Sequence, residues 1–93
     1  MNFEWDTAKN RINIRKHGID FNDAVDIFKH PILNLIDGKA EYGEERWIAI
    51  GLIKAIVGVV IYTEREGSVV RIISARKATR NEVRLYEKSI YRN

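Results

Sequence analysis

Residues 55–63 form a continuously apolar run rich in Val and Ile, and this run limits the possible folds more than any other stretch. A strand of that composition has no face to give to water, so it belongs in the middle of a sheet with cover on both sides. Its sequence neighbours supply the partners. Over residues 46–52, Ile48, Ile50 and Leu52 alternate with Trp47, Ala49 and Gly51, the period of a strand with at least one buried face. Lys54 marks the reversal between the two. Residues 64–67 read as the next hairpin loop and residues 69–76 as the last strand. Residues 32–36 are predicted as a short strand, with Asp37 and Gly38 as the turn after it.

Helical periods flank this β-rich centre. Residues 2–5 are a short strand or an extended lead-in. Asp6 is a good N-cap and Gly18 a good stop for a helix over residues 7–17. Trp5, Ala8 and Ile12 share one face of it, predicted as core, while Lys9, Asn13 and Lys16 share another, predicted to meet solvent or ligand. Phe21, Ala24, Val25 and Phe28 repeat at helical spacing behind an Asp-rich start, and Pro31 ends that second helix, giving an αα-hairpin. At the other end, Thr79 and Glu82 form a capping box that opens a helix with Val83, Tyr86 and Ile90 as its buried stripe. The expected architecture is a single α+β domain over residues 1–93, an antiparallel β-meander with two N-terminal helices and a C-terminal helix packed on one face.

Several classes of function are set aside by what the chain lacks. It has no cysteine, which removes disulfide scaffolds and thiolate metal sites and points to a reducing cytoplasm. The apolar run falls far short of the roughly 20 residues of a membrane helix, and the start of the chain does not read as a targeting peptide. Gly51, Gly58 and Gly67 have the wrong spacing for a phosphate-binding or dinucleotide loop. His17 and His30 are too far apart for a helical metal pair, so no metal and no cofactor is expected.

The formal charge of +3 is unevenly laid out. Residues 1–70 hold nine Lys and Arg against eleven Asp and Glu, whereas residues 71–93 hold seven against two. Arg71, Arg76, Lys77 and Arg80 stand at the joints of a strand, a tight corner and a helix start. Arg80 is locally unfavourable there, because the start of a helix is already electropositive. Arg80, Arg84 and Lys88 then follow at i, i+4 spacing, where like charges repel by a few tenths of a kcal/mol per pair. A solvated basic helix face is the plain reading of each residue taken singly; as a cluster at a helix N-terminus they point to an anion site. Lys9, Arg11, Arg15 and Lys16 add a second basic patch, and residues 20–45 are acidic.

This inventory suffices for one reaction on RNA. Attack by the 2′-hydroxyl needs no metal, since the nucleophile is in the substrate; the protein supplies cations for the phosphorane and a base and an acid. Arg71, Arg76, Lys77 and Arg80 are the candidate cations and His17 the candidate base, although a histidine before Gly18 also complements a helix C-terminus. Glu82 is a second candidate base whose capping role explains it more simply. Tyr86 is suited to stacking on a base or to core packing. Strict strand alternation puts Arg71 on a face with Ile73 and Ala75, and Ser74 and Arg76 on the other.

Four blocks, FEWDTAKNRINIRKHGIDFNDA, GEERWIAIG, VIYTEREG and RIISARKATRNEVRLYE, together resemble the BrnT family of toxins from bacterial toxin–antitoxin pairs. The resemblance runs nearly end to end. It implies a RelE-like fold, metal-independent ribonuclease activity that blocks translation, and neutralisation in a hetero-oligomer by a cognate BrnA-like antitoxin, with DNA engaged only through that antitoxin. Lys16, His17, Gly18, Glu45, Arg46, Arg71, Ser74, Arg76, Lys77, Ala78, Glu82 and Tyr86 match the family pattern. On side-chain chemistry, and not as roles carried over from the family, the candidate catalytic set is His17, Arg71, Arg76 and Glu82, and the candidate RNA contacts are Lys16, Arg46, Ser74, Lys77, Arg80, Arg84 and Tyr86. Two rivals remain: a non-catalytic antitoxin-binding module acting in DNA-linked autoregulation, and a basic surface that exists only to receive an acidic antitoxin segment.

Overall fold

The computed structural model describes residues 1–39 and 44–91. Strands β2 (Leu33–Lys39), β3 (Glu45–Ile53), β4 (Ile56–Arg65) and β5 (Val69–Lys77) form an antiparallel meander. β1 (Asn2–Glu4) joins it on the outer side of β5, in parallel, with Asn2 opposite Val69 and Glu4 opposite Arg71. The sheet order is thus β1-β5-β4-β3-β2. The apolar run is the central strand, and Val59 and Val60, which point to opposite faces, are both fully buried. Lys54 and Gly67 have positive φ at the two reversals. Asp37 and Gly38 do not form a turn: they lie within β2, where a bulge lets Ile36 face Trp47 and Gly38 face Arg46. The β2–β3 reversal, with Glu41, lies outside the described residues.

The helices occupy both faces, not one. α1 (Thr7–His17), α2 (Phe21–Ala24) and a 3-10 helix (Val25–Lys29) cover the face where Phe21, Ala24, Ile27, Val60, Tyr62 and Ile72 are buried together. α3 (Arg80–Ile90) lies on the opposite face, where Tyr86 packs with Ile50 and Val59, and Ile90 borders the same cluster. The physical reason is the composition of β3 and β4. Ile48, Ile50, Leu52, Val57, Val59 and Ile61 make the second face as apolar as the first, and one helical layer leaves it in water.

The second predicted helix is one α-turn followed by the 3-10 segment, with His30 N–H closing on the Ile27 carbonyl at 3.4 Å. α1 departs further from its expected polarity. Ile12 is 59% exposed and Ala8 is exposed, whereas Asn10 and Asn13 are buried. Asn10 links the helices by accepting from Phe21 N–H at 2.8 Å and donating to Asp20 Oδ1 at 3.0 Å. Asn13 accepts from Ala75 N–H at 3.1 Å and donates to the Ala75 and Ile19 carbonyls at 2.8 Å each. β1 has ended by that level, so the Asn13 amide continues the edge of β5 as a further peptide group would.

Candidate nucleic-acid site

A one-residue irregularity in β5 arranges the basic side chains. Ser74 pairs with Ile61 but Ile72 pairs with Tyr62, so Ile73 is an extra residue in the strand. Such a bulge reverses the in-out alternation. Val70, Ile72 and Ala75 therefore all enter the core beneath the N-terminal helices, and Arg71, Ser74 and Arg76 share the opposite face, against the strict parity expected from sequence. Their partners on β4 are Thr63, Ile61 and Val59.

Ser74 also belongs to a shallow open pocket at the outer edge of β5. Lys9, Ile12, Asn13, Lys16 and His17 of α1 line it together with Ile73 and Ser74. Lys16 and His17 sit in the last turn of α1, which Gly18 closes in the left-handed conformation with φ 73°. The free carbonyls of that turn favour the basic run Arg15, Lys16 and His17.

Arg76 is fixed at the corner between β5 and α3. Its Nη1 and Nη2 donate to the two Glu82 carboxylate oxygens at 2.7 and 2.8 Å. Glu82 Oε1 also accepts from Thr79 N–H at 2.8 Å, while Thr79 Oγ1 accepts from Glu82 N–H, so the capping box and the ion pair use one carboxylate. The Arg76 hydrogen bonds hold the Glu82 carboxyl down at about 2, against burial and with help from Thr79. Glu82 in turn raises Arg76 further above its ordinary value.

The remaining candidates are more widely spread. Arg71 Nη1 donates to Glu4 Oε2 at 2.9 Å, and Arg46 Nε lies 3.7 Å from Asp37 Oδ2. Lys77, Arg80 and Arg84 are exposed, with Arg84 donating to Asn81 at 3.4 Å. Tyr86 is buried against Ile50 and Val59. The structure thus brings together Lys16, His17 and Ser74, sets Arg71 and Arg76 on the face that Ser74 shares, and leaves Arg84 and Tyr86 on separate sides of α3. Lys9, Asn13 and Lys16, the face of α1 expected to meet solvent or ligand, all line this pocket, and Ile12 from the face expected to be core joins them. Among the described residues, no group of three or more His, Asp or Glu stands close enough to hold a metal ion.

A family model described as the ribonuclease toxin, BrnT, of type II toxin–antitoxin systems matches residues 5–82. The chain belongs to the BrnT family. The matched span takes in α1, the whole meander and the capping box of α3, and so includes every candidate named above except Arg84 and Tyr86. Among solved structures, the crystal structure of the Brucella abortus ribonuclease toxin BrnT matches with 28% sequence identity and a TM-score of 0.65, over 86% of this chain and 99% of that one. No curated protein matches. Membership in this BrnT toxin family implies an antitoxin partner.

Proposed function

We propose that this BrnT-family chain cleaves RNA without a metal, by attack of a 2′-hydroxyl on the adjacent phosphate. The O2′–P bond forms as the P–O5′ bond breaks; His17 takes the proton from the 2′-hydroxyl, and the leaving O5′ takes a proton from solvent water. The observation that carries this reading is the position of Ser74. It lies between Arg71 and Arg76 on one face of β5 and also lines the pocket of His17 and Lys16 at the edge of that strand, so it links the two groups of candidates. A phosphate at Ser74 meets positive charge from Arg71, Arg76 and Lys16 where the phosphorane develops its own.

Glu82, ionised down to about 2, is too weak a base to compete with an imidazole near neutral pH, and its role is to position Arg76. Lys77, Arg80 and Arg84 extend the cationic surface for the RNA backbone, joined by Arg46 from β3. Tyr86 contributes by anchoring α3. A BrnA-like antitoxin that covers this surface neutralises the toxin, and the complex reaches DNA through the antitoxin. Cleavage of cytoplasmic RNA then blocks translation.

The test is cleavage of RNA by the antitoxin-free chain beside His17→Ala and Arg71→Ala, with the fold of each checked by circular dichroism. A loss of about a hundredfold or more is expected for each folded variant. Full activity in both variants refutes the assignment.

A further inference from the structure

At the β1 end of the face that carries Arg71, a buried hydroxyl has no partner. Thr63 is 3% exposed, and its Oγ1 has no hydrogen-bond partner among the described residues; Arg46 Nε is in the same condition. Thr63 stands directly opposite Arg71 on β5. Arg46 precedes Trp47, the partner of Tyr62, so Arg46 stands across from Thr63 on the other side. Arg65, two residues further along β4, points to the same face. Three guanidiniums from three adjacent strands therefore surround one unpaired hydroxyl.

Carboxylates occupy these arginines imperfectly. Glu4 Oε2 accepts from Arg71 Nη1 at 2.9 Å and lies 3.4 Å from Arg65 Nε, so one oxygen bridges two guanidiniums. Arg65 Nη2 reaches Glu44 at 3.4 Å. Asp37 Oδ2, at 3.7 Å from Arg46 Nε, is too distant to satisfy that donor. A valine in place of Thr63 fills the same volume without an unpaired hydroxyl, so the threonine costs stability in the arrangement seen.

We infer that Arg46, Arg65 and Arg71 over the Thr63 hydroxyl form a second phosphate site, which takes an RNA backbone phosphate flanking the one at Ser74. A phosphate has the oxygens to replace Glu4 and Asp37 on these forks and to accept from Thr63 as well. Turning the guanidiniums from the carboxylates toward a phosphate uncovers the hydroxyl. The site lies about 7 Å from Ser74, since their partners Thr63 and Ile61 are two residues apart on β4, a separation of about one nucleotide of an RNA strand. The inference rests on the nuclease reading only in naming RNA as the strand that supplies both phosphates.

The test uses a single-stranded 2′-O-methyl RNA oligonucleotide, which lacks the nucleophile, and measures its affinity by fluorescence anisotropy alongside urea denaturation of each protein. Thr63→Val is expected to be more stable than the wild type yet to bind about tenfold more weakly. Arg65→Ala is expected to weaken binding and reduce the salt slope by about one, and Glu4→Gln to tighten binding. Unchanged affinity in Thr63→Val and Arg65→Ala overturns the site, whether or not antitoxin binding falls. Unmodified RNA, tested with the same proteins, separates the two readings. Cleavage with an affinity indifferent to Thr63 and Arg65 defeats this site alone; affinity that depends on them, without cleavage, defeats the nuclease alone.

Discussion

Arg76 and Glu82 meet across the corner between β5 and α3 in a two-pronged ion pair of 2.7 and 2.8 Å. Because the same carboxylate closes the capping box on Thr79, the last strand and the last helix are locked by one side chain. The orientation of α3 over the sheet, and with it the direction of Arg80 and Arg84, follows from that lock.

The pair makes stability depend on pH in a defined window. Glu82 has its folded-state value depressed to about 2 from 4.5, so the stabilisation is complete above 4.5 and is lost as pH falls toward about 2. Both partners are partly exposed, so screening reduces the effect to about 1 kcal/mol. Urea midpoints of the wild type and Glu82→Gln are expected to differ at about pH 7, to differ less at about pH 3 and to converge only as pH approaches about 2. A constant gap between the two proteins contradicts the assignment.

Asn13 replaces a missing strand at the edge of β5, and its removal is expected to be felt throughout the fold. Asn13→Ala deletes three buried hydrogen bonds and is expected to cost about 2–3 kcal/mol. Asn13→Asp is expected to cost more, because it keeps the acceptor for Ala75 N–H but turns a carboxylate oxygen toward two carbonyls. Denaturant titration of both variants checks the order. A smaller loss in Asn13→Asp than in Asn13→Ala speaks against the amide geometry.

Gly58 faces Gly51 across β3 and β4, and the Ile53 side chain packs against Gly58. A Cβ on Gly58 collides with Ile53 Cδ1 and comes within 3.3 Å of the Arg76 carbonyl. Gly58→Ala is expected to destabilise by about 1–3 kcal/mol. In an Ile53→Val background, which lacks the Cδ1 atom, the added cost of Gly58→Ala is expected to shrink. A double-mutant cycle that shows strict additivity rules out this contact as the cause.

Much of the fold was legible in the sequence because its strongest signals were long. The apolar run announced a central strand, the alternation from Arg46 announced its neighbour, and Thr79 with Glu82 announced α3. The site was less legible, for local reasons. Ile73 is as good a strand residue as Ile72, so nothing in the sequence marks it as the extra residue that brings Arg71, Ser74 and Arg76 to one face. Asn10 and Asn13 were unreadable as buried because amphipathic patterns assume an apolar contact, whereas these side chains stand in for backbone partners. The placement of α3 opposite the other helices was implied by the apolar second face of β3 and β4, but meander patterns alone do not say which face a following helix takes. The approach of His17 to Ser74 is tertiary, with no spacing rule to foretell it.

The measurement that bears most directly on the account is the chemistry of the ends left when the antitoxin-free chain acts on RNA in the presence of EDTA, with Arg76→Ala in parallel. The account predicts cyclic phosphate ends paired with free 5′-hydroxyls from the wild type, with chelator making no difference, and strongly reduced product from the folded variant. Product with 3′-hydroxyl and 5′-phosphate ends, or cleavage abolished by EDTA, contradicts it.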